Sequence, residues 1–246
     1  TENDLLHKDT SEKPLLPYSR KMVIISLDPF LPQGKVEHMQ QVLDTLIEKG
    51  YSTFVVNNLA HINMLKGKKV QMIAGPFLYT FNRWSVSFLE NEGLMAIQMP
   101  YENSERNLKT TFETMPERSR LLLPVFAYPT LFRLRFKLPK DYDFTFFSDK
   151  ESSSFKVNST PDGSFVMPEY PFSLVDKMDS LSSKGWKRQL LDFSKTKVQK
   201  SDIKNMISLI QTRRGIEGAS RFNWKDGFYN PEKIEAFKAL SENRKK

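Results

Sequence analysis

Apolar residues follow two spacings along this chain, one typical of buried strands and one typical of a helix face. The run MVIISLD, residues 22–28, is short, rich in β-branched residues and bounded by polar ones, which predicts a buried strand. The next apolar residues recur at the spacing of one helix face: Met39, Val42, Leu43, Leu46 and Ile47. Gly50 follows where a left-handed helix cap is expected, and a second strand is predicted over residues 52–58.

The succession of helix, glycine and strand occurs three times. The three helices end in the segments EKGYSTFVVNN, NEGLMAIQMPY and SKGWKRQLLDF. With the strands already named, further strands are predicted over residues 70–76, 94–99, 121–129 and 186–193, the third of them interrupted by Pro124. Consecutive βα units of this kind favour a parallel sheet, here of six strands.

The stretch GPFLYTFNRWSVSFLENEGLMAIQMPYE, residues 75–102, contains one such unit with polar groups at both strand ends. A strand ends in Gly-Pro, and Asn82 precedes a helix for which we predict an apolar face of Phe81, Trp84 and Phe88, to which Leu89 can be added. The next strand is followed by Glu102.

Three regions differ from this pattern. Residues 1–20 are polar and contain two prolines, which predicts a linker or arm. Residues 130–171 alternate in hydrophobicity between turn signals, which predicts an antiparallel β insertion. Residues 198–246 are expected to form a basic helical segment, with helices over 202–211 and 231–240. Residues 21–246 are therefore interpreted as one domain that contains the insertion and the C-terminal helices.

Composition removes several classes of site. The chain has 246 residues, 39% of them hydrophobic, no Cys and three His, which excludes disulfides, thiolate zinc sites and all-Cys iron–sulfur clusters. We expect no metal and no cofactor. No run approaches the length of a membrane span, and the first residues lack a signal pattern, so we expect a cytoplasmic protein without a membrane partner.

The net charge of +8 lies entirely in the last quarter of the chain. Residues 184–246 carry 16 positive and 7 negative side chains, against 21 and 22 in the rest. Such asymmetry is typical either of a surface that binds the phosphate backbone of a nucleic acid or of a solvated, lysine-rich surface without a partner. Candidate nucleic-acid contacts combine positive charge with an aromatic ring: Arg213, Arg214, Arg221, Trp224 and Lys225. The same aromatic residues are equally typical of a C-terminal segment that packs on the hydrophobic core of its own domain.

Ligands of barrels and open α/β sheets gather at the carboxyl ends of the strands. The polar or small residues expected there are Asn57, Asn58, Gly75, Asn82, Glu102, Tyr128, Arg133, Arg135 and Asp192. Each also has a purely structural interpretation, since Asn residues cap helices and Asp192 can pair with Arg188 or Lys195.

Two chemical roles are candidates among these residues. Glu102 and Asp192 could form an acid/base pair for hydrolysis. Arg133 and Arg135 share one face of an extended segment and, beside Tyr128, could hold a carboxylate or phosphate. The alternative for the two arginines is ion pairing with nearby aspartates. The chain contains no nucleophile elbow, P-loop, zinc-protease or dinucleotide-binding motif.

The order of these motifs resembles the collagenase-like peptidases of unknown catalytic type, family thirty-two. Members have an Asn where the helix after Gly-Pro begins and a Glu after the next strand, and Asn82 and Glu102 match these positions. Looser matches are YPTLF, residues 128–132, to the family's Pro-Leu-Met strand, and SDKE, residues 148–151, to its Asp-Arg-Lys-Gly hairpin. Residues 174–193 match the last helix and its Asp-Phe strand, and the resemblance extends over about residues 22–215.

The resemblance implies a TIM-like barrel, incomplete here because six strands are predicted instead of eight. A preceding segment or a partner chain would then complete the barrel. Members of the family are assigned proteolysis, or hydroxylation with an iron–sulfur cluster in RNA modification and ubiquinone synthesis. This chain lacks the four cysteines of that cluster. We therefore expect a cluster-less barrel domain that binds a ligand or macromolecule at the strand ends through Asn82, Glu102 and Arg133. A peptidase-type hydrolase and an RNA-binding accessory protein are the alternatives.

Overall fold

A computed structural model describes residues 2–10, 16–113, 120–134, 136, 147–148, 154–160, 163–193 and 199–219. The helices are α1 (Glu2–Lys8), α2 (Val36–Glu48), α3 (Leu59–Leu65), α4 (Arg83–Asn91), α5 (Glu105–Asn107) with a π-helix over Leu108–Phe112, α6 (Met178–Ser183) and α7 (Lys200–Thr212). The strands are β1 (Ile24–Ser26), β2 (Thr53–Val56), β3 (Gln71–Ala74), β4 (Ala96–Gln98), β5 (Leu121–Ala127), β6 (Phe132–Leu134), β7 (Phe147–Ser148), β8 (Ser154–Thr160), β9 (Gly163–Pro168), β10 (Phe172–Ser173) and β11 (Gln189–Asp192). The chain divides into two compact units, Thr1–Pro100 with Thr114–Leu122, and Tyr101–Glu113 with Leu123–Lys246.

The first unit is a parallel sheet with helices between its strands. Strands β1 to β4 pair in sequence order, and β4 pairs with the first two residues of β5. Alternation along the strands directs Ile25, Phe54 and Met72 to one face, where all three are buried. The apolar stripe predicted for α2 is confirmed, since Val42, Leu43 and Leu46 are buried.

The second unit contains β5 from Leu123 onward and a small antiparallel sheet. β5 pairs in parallel with β11 and antiparallel with β10. Met206 of α7 packs in a core cluster with Phe126 and Val175. The insertion forms an antiparallel sheet in the order β6-β9-β8-β7.

The predicted α/β class, the six parallel strands and the antiparallel insertion are confirmed. Among the described residues, strand pairing begins at β1 and ends at β10 and β11, and no pairing between these ends closes a barrel. Pro124 does not interrupt β5, because the partner strand accommodates it: the register of β11 shifts between Leu190 and Leu191. The helix predicted over 231–240 lies outside the described residues.

The predicted apolar face of α4 is confirmed for Leu89 and wrong for Trp84 and Phe88. The helix buries Val86 and Leu89, whereas Trp84 is 86% exposed and Phe88 is 51% exposed. α4 carries two apolar stripes, one aliphatic and one aromatic, and both fit the helical period. Periodicity therefore predicts the helix but does not select which stripe packs on the sheet.

The N-terminal segment is held by a buried carboxylate. Asp9 is 1% exposed and accepts hydrogen bonds from Arg20 Nε at 2.7 Å and Tyr51 Oη at 2.8 Å. Lys49 Nζ donates to the backbone carbonyls of Leu5, Leu6 and Asp9 at the end of α1. The lysine thus satisfies carbonyl groups that a helix end leaves without partners. Of the described helices, none combines the length and apolar character needed to cross a bilayer.

Candidate functional site

Two consecutive asparagines fix the loops at the carboxyl ends of β1 and β2. Asn57 is 5% exposed, and its Nδ2 donates to the Leu27 carbonyl at 2.8 Å and to Ser26 Oγ at 3.2 Å. Asn58 is the N-cap of α3: its Oδ1 accepts from the Ala60 amide at 3.0 Å, and its Nδ2 donates to the Pro29 carbonyl at 3.1 Å. The polar pair that ends β2 therefore determines the path of the chain after β1.

The carboxamide oxygen of Asn57 is buried, and it has no hydrogen-bond partner among the described residues. It lies against the backbone of Gly75, where an added Cβ would be 1.8 Å from Oδ1. Gly75 is needed here for close approach between two neighbouring strand ends, since its φ is not in the left-handed region. A buried acceptor without a partner costs about 1–3 kcal/mol.

A cleft of about 460 Å³ opens at the ends of β2 and β3. It is lined by Pro29, Asn57, Asn58, Leu59, Phe77, Leu78 and Tyr79. None of these seven side chains is charged, so the lining offers two carboxamides and apolar or aromatic surface. Tyr79 adopts a left-handed φ of 51° and its ring stacks on Phe81, with centroids 6.3 Å apart. A strained backbone beside a cleft is frequent at binding sites.

A fully buried histidine lies on the helix that Asn58 caps. His61 is 0% exposed, and among the described residues neither ring nitrogen has a hydrogen-bond partner. Burial lowers the pKa of His61 to about 4, although the negative charge of Asp28 acts in the opposite direction. The imidazole is therefore neutral near pH 7. His61 is not among the residues predicted for a site, because a histidine in an apolar helical stripe gives no chemical signal in the sequence.

In the second unit, the predicted catalytic residue Asp192 accepts a hydrogen bond from a tyrosine. Tyr101 Oη donates to Asp192 Oδ2 at 2.7 Å, and the Tyr101 ring packs edge-on against Phe172. Glu102, the other predicted member of the acid/base pair, follows Tyr101 in a turn and is itself exposed. The Tyr101 hydroxyl thus gives Asp192 a fixed orientation at the end of β11.

Three polar side chains that were not predicted as site residues form a hydrogen-bonded series beside this turn. Thr111 Oγ1 donates to Asn107 Oδ1 at 2.8 Å, and Asn107 Nδ2 donates to Asn103 Oδ1 at 2.8 Å. Asn103 is 1% exposed, and its Nδ2 has no partner among the described residues. The spacing of four residues between them is a signal that the sequence contains, since side chains four apart are neighbours along a helix; in the structure Asn103 precedes Ser104, the N-cap of α5.

The predicted ligand-binding residues have different environments. Asn82 is the exposed N-cap of α4, and its Oδ1 accepts from the Ser85 amide at 2.9 Å. Tyr128 is half-buried, and burial, followed by the charge of Asp202, raises the pKa of its hydroxyl. Arg133 is exposed on β6, and Arg135 lies outside the described residues. The described geometry therefore gives the Asn82 amide a structural role in starting α4.

Of the five predicted nucleic-acid contacts, the structure describes two. Arg213 ends α7 with a φ of 53° and forms an ion pair with Asp179, with Nη2 and Oδ1 2.8 Å apart. The pair raises the pKa of Arg213 and lowers that of Asp179, in both cases chiefly through the hydrogen bond between them. Arg214 is exposed, and Arg221, Trp224 and Lys225 lie outside the described residues. RNA binding stays a prediction of the sequence.

Within the described part of the chain, no group of three or more His, Asp or Glu side chains is placed to hold a metal ion. The uncharged cleft combines a cavity with a buried polar atom, Asn57 Oδ1, that has no partner among the described residues. Comparisons with known proteins find no family model, no curated protein and no solved structure that matches this chain.

Proposed function

We propose that this protein is a binding domain that holds an uncharged, planar small molecule at the carboxyl ends of β2 and β3. One observation supports this most strongly: Asn57, 95% buried, lines the cleft and keeps a carboxamide oxygen without a partner among the described residues. A ligand N–H or O–H group that reaches this oxygen would recover the free energy that its burial costs.

The lining defines the class of ligand. Tyr79 and Phe77 offer aromatic surface for a planar ring, and Asn58 adds a second carboxamide at the rim. Because the lining includes no cation, an anionic ligand would lose its hydration without gaining a charged partner. The proposed ligand is therefore an aromatic or heteroaromatic amide or lactam without net charge.

The proposed scaffold is an incomplete barrel of the collagenase-like peptidase kind, without an iron–sulfur cluster. We propose that it is cytoplasmic and that a preceding segment or a partner chain completes the barrel. The edge strand β1 supports completion from outside the described residues. Its Ile24 side chain is 54% exposed, and among the described residues of the first unit β1 pairs only with β2. An additional strand on the other side of β1 would pair with its backbone and place a cross-strand side chain beside Ile24.

The test is a chemical-shift titration of the full chain with two uncharged probes, benzamide and uracil, and with benzoate as the charged counterpart. The uncharged probes should shift the backbone amides of residues 57–59 and 77–79, whereas benzoate should bind more weakly. Gly34→Ala serves as the matched control for Gly75→Ala, because an added Cβ at position 34 meets no atom within 4 Å. Absence of any shift at these amides, or tighter binding of benzoate, would contradict the proposal.

A peptidase-type hydrolase is the second candidate, favoured by the hydrogen bond that orients Asp192 beside the turn containing Glu102. In that mechanism Asp192 acts as a base toward water and Glu102 protonates the leaving amine. Glu102→Gln should then abolish peptide hydrolysis with little change in melting temperature, because Glu102 is exposed. Hydrolysis that persists in this variant would eliminate the assignment of Glu102.

A further inference from the structure

Two aromatic rings, those of Tyr79 and Phe81, are held parallel to each other at one side of the cleft. Their centroids are 6.3 Å apart and their planes differ by 14°. Of the two residues, Tyr79 lines the cleft and is 56% exposed, so much of its ring is accessible to a ligand. Phe81 is half-buried and is not part of the lining. The cleft wall thus contains one aromatic ring that is supported by a second ring outside the lining.

The backbone that joins the two rings is tightly bent. Tyr79 adopts the left-handed conformation, with φ 51° and ψ 54°, which a residue with a Cβ rarely occupies. Its N–H group donates to the Pro76 carbonyl at 3.2 Å, and its own carbonyl accepts from the Phe81 N–H group at 2.9 Å. The second bond closes a three-residue turn around Thr80 and brings the two aromatic residues close together.

Buried residues anchor this loop. Pro76 is buried, and Thr80 is 0% exposed although both of its neighbours are at least partly exposed. Asn82, which follows Phe81, caps α4. Rotation of the ring pair as a unit would therefore move a buried side chain and disturb a helix cap. The plane of the Tyr79 ring is fixed before a ligand binds, and such pre-organisation lowers the entropy that is lost on binding.

We propose that Tyr79 makes the cleft specific for flat, conjugated ligands and that Phe81 is a positioning residue that sets the plane of the Tyr79 ring. Both roles rest on the proposed function, in which an uncharged planar molecule occupies the cleft. A conjugated ring stacks on Tyr79 with its full face, whereas a saturated ring is puckered and contacts it with fewer atoms. Phe81 acts through Tyr79, because Phe81 does not line the cleft.

Two amides that differ in the saturation of their ring, benzamide and cyclohexanecarboxamide, test these roles. Chemical-shift titration of the full chain measures both affinities, and their ratio is compared between variants. The wild type should bind benzamide about fivefold more tightly than cyclohexanecarboxamide. Tyr79→Leu should abolish this preference through loss of benzamide affinity, whereas its affinity for cyclohexanecarboxamide should stay within about twofold of the wild type.

Variants of Phe81 distinguish positioning of the ring from a general effect on the fold. Phe81→Leu removes the stacked ring without changing the cleft lining and should lower the preference for benzamide to about twofold. Phe81→Tyr retains a ring and should keep the wild-type preference. Trp84→Leu is the matched control and should also keep it, because Trp84 is an 86% exposed aromatic residue outside the lining. Circular dichroism verifies that each variant is folded.

The possible outcomes distinguish the selection of ligands from the existence of the ligand site. If neither compound shifts the backbone amides of residues 57–59 and 77–79 in the wild type, the proposed function and both roles are wrong. If both compounds bind and Tyr79→Leu keeps the wild-type preference, the ligand site is retained and the role of Tyr79 is wrong. A preference that is unchanged in Phe81→Leu, or lowered equally in Trp84→Leu, would overturn the positioning role of Phe81.

Discussion

The carboxamide oxygen of Asn57 lies where a side chain at position 75 would begin, since a Cβ on Gly75 would be 1.8 Å from it. The two residues follow adjacent strands, β2 and β3. Their contact places a buried acceptor at the cleft, and a side chain at position 75 would have to displace it. Close packing of backbone against a polar side chain thus forms the centre of the candidate site.

The first prediction concerns Gly75→Ala. The added methyl group must displace the Asn57 side chain and weaken its hydrogen bonds to Leu27 and Ser26. We expect the free energy of unfolding to fall by about 1–3 kcal/mol, as for other cases of overpacking. Urea denaturation measures the change, and Gly34→Ala should stay within about 0.5 kcal/mol of the wild type. Equal stability of both variants would show that Asn57 does not pack against Gly75.

The second prediction concerns the pH dependence set by His61. The pKa of His61 falls from its usual 6.5 to about 4 in the folded chain, so the unfolded state binds the proton more tightly. The neutral His61 therefore contributes fully to stability above pH 6.5. As the pH falls from 6.5 toward 4, the free energy of unfolding should decrease by about 3 kcal/mol through this residue.

The control for this prediction is His61→Gln, a side chain that does not titrate in this range. The free energy of unfolding of the wild type minus that of the variant should decrease as the pH falls from 7 to 4. Titration of the carboxylates affects both proteins equally and cancels in this difference. A difference that does not change with pH would mean that the imidazole is not buried in its neutral form.

The third prediction concerns the N-terminal helix. Lys49→Met removes the ammonium that donates to three carbonyl groups at the end of α1 while keeping a side chain of similar length. Residues 2–10 should then exchange their amide hydrogens faster, whereas the amides of β2 and β3 should keep their protection. Lys66→Met, which removes only an exposed ion pair with Glu92, is the matched control and should leave α1 unchanged.

The fourth prediction concerns Tyr101 and Asp192. Tyr101→Phe removes the hydroxyl that donates to the carboxylate at 2.7 Å and should lower stability by about 1–3 kcal/mol. Thermal denaturation measures this loss. The control Tyr18→Phe changes a tyrosine that is 64% exposed and should have little effect. A melting temperature equal to that of the wild type would mean that the hydrogen bond does not hold Asp192 in place.

The sequence predicted those features of the fold that depend on neighbours along the chain. The three helix-ending glycines all have a positive φ, 98° at Gly50, 84° at Gly93 and 91° at Gly185, because each reverses the chain between a helix and a strand. Such local geometry is encoded within a few residues. The parallel order of the strands follows from the repetition of this unit.

The candidate site depends on contacts between segments that are distant in sequence, and these were only partly predictable. The sequence predicts Asn57, Asn58 and Gly75 at strand ends. Nothing in the sequence indicates that the carboxamide oxygen of Asn57 packs against the backbone of Gly75. The choice between two apolar stripes on α4 is likewise made by the sheet that receives the helix. The Asn82 carboxamide caps α4, and its role in ligand binding stays a prediction.

The affinity of benzamide for three proteins, wild type, Gly75→Ala and Gly34→Ala, decides whether the ligand site is built on Asn57. Wild type and Gly34→Ala should bind equally, and Gly75→Ala should bind at least about tenfold more weakly, because its methyl group displaces the Asn57 carboxamide. Circular dichroism of Gly75→Ala at the same temperature verifies that the variant is folded. Equal affinity of all three proteins would contradict a binding site built on Asn57.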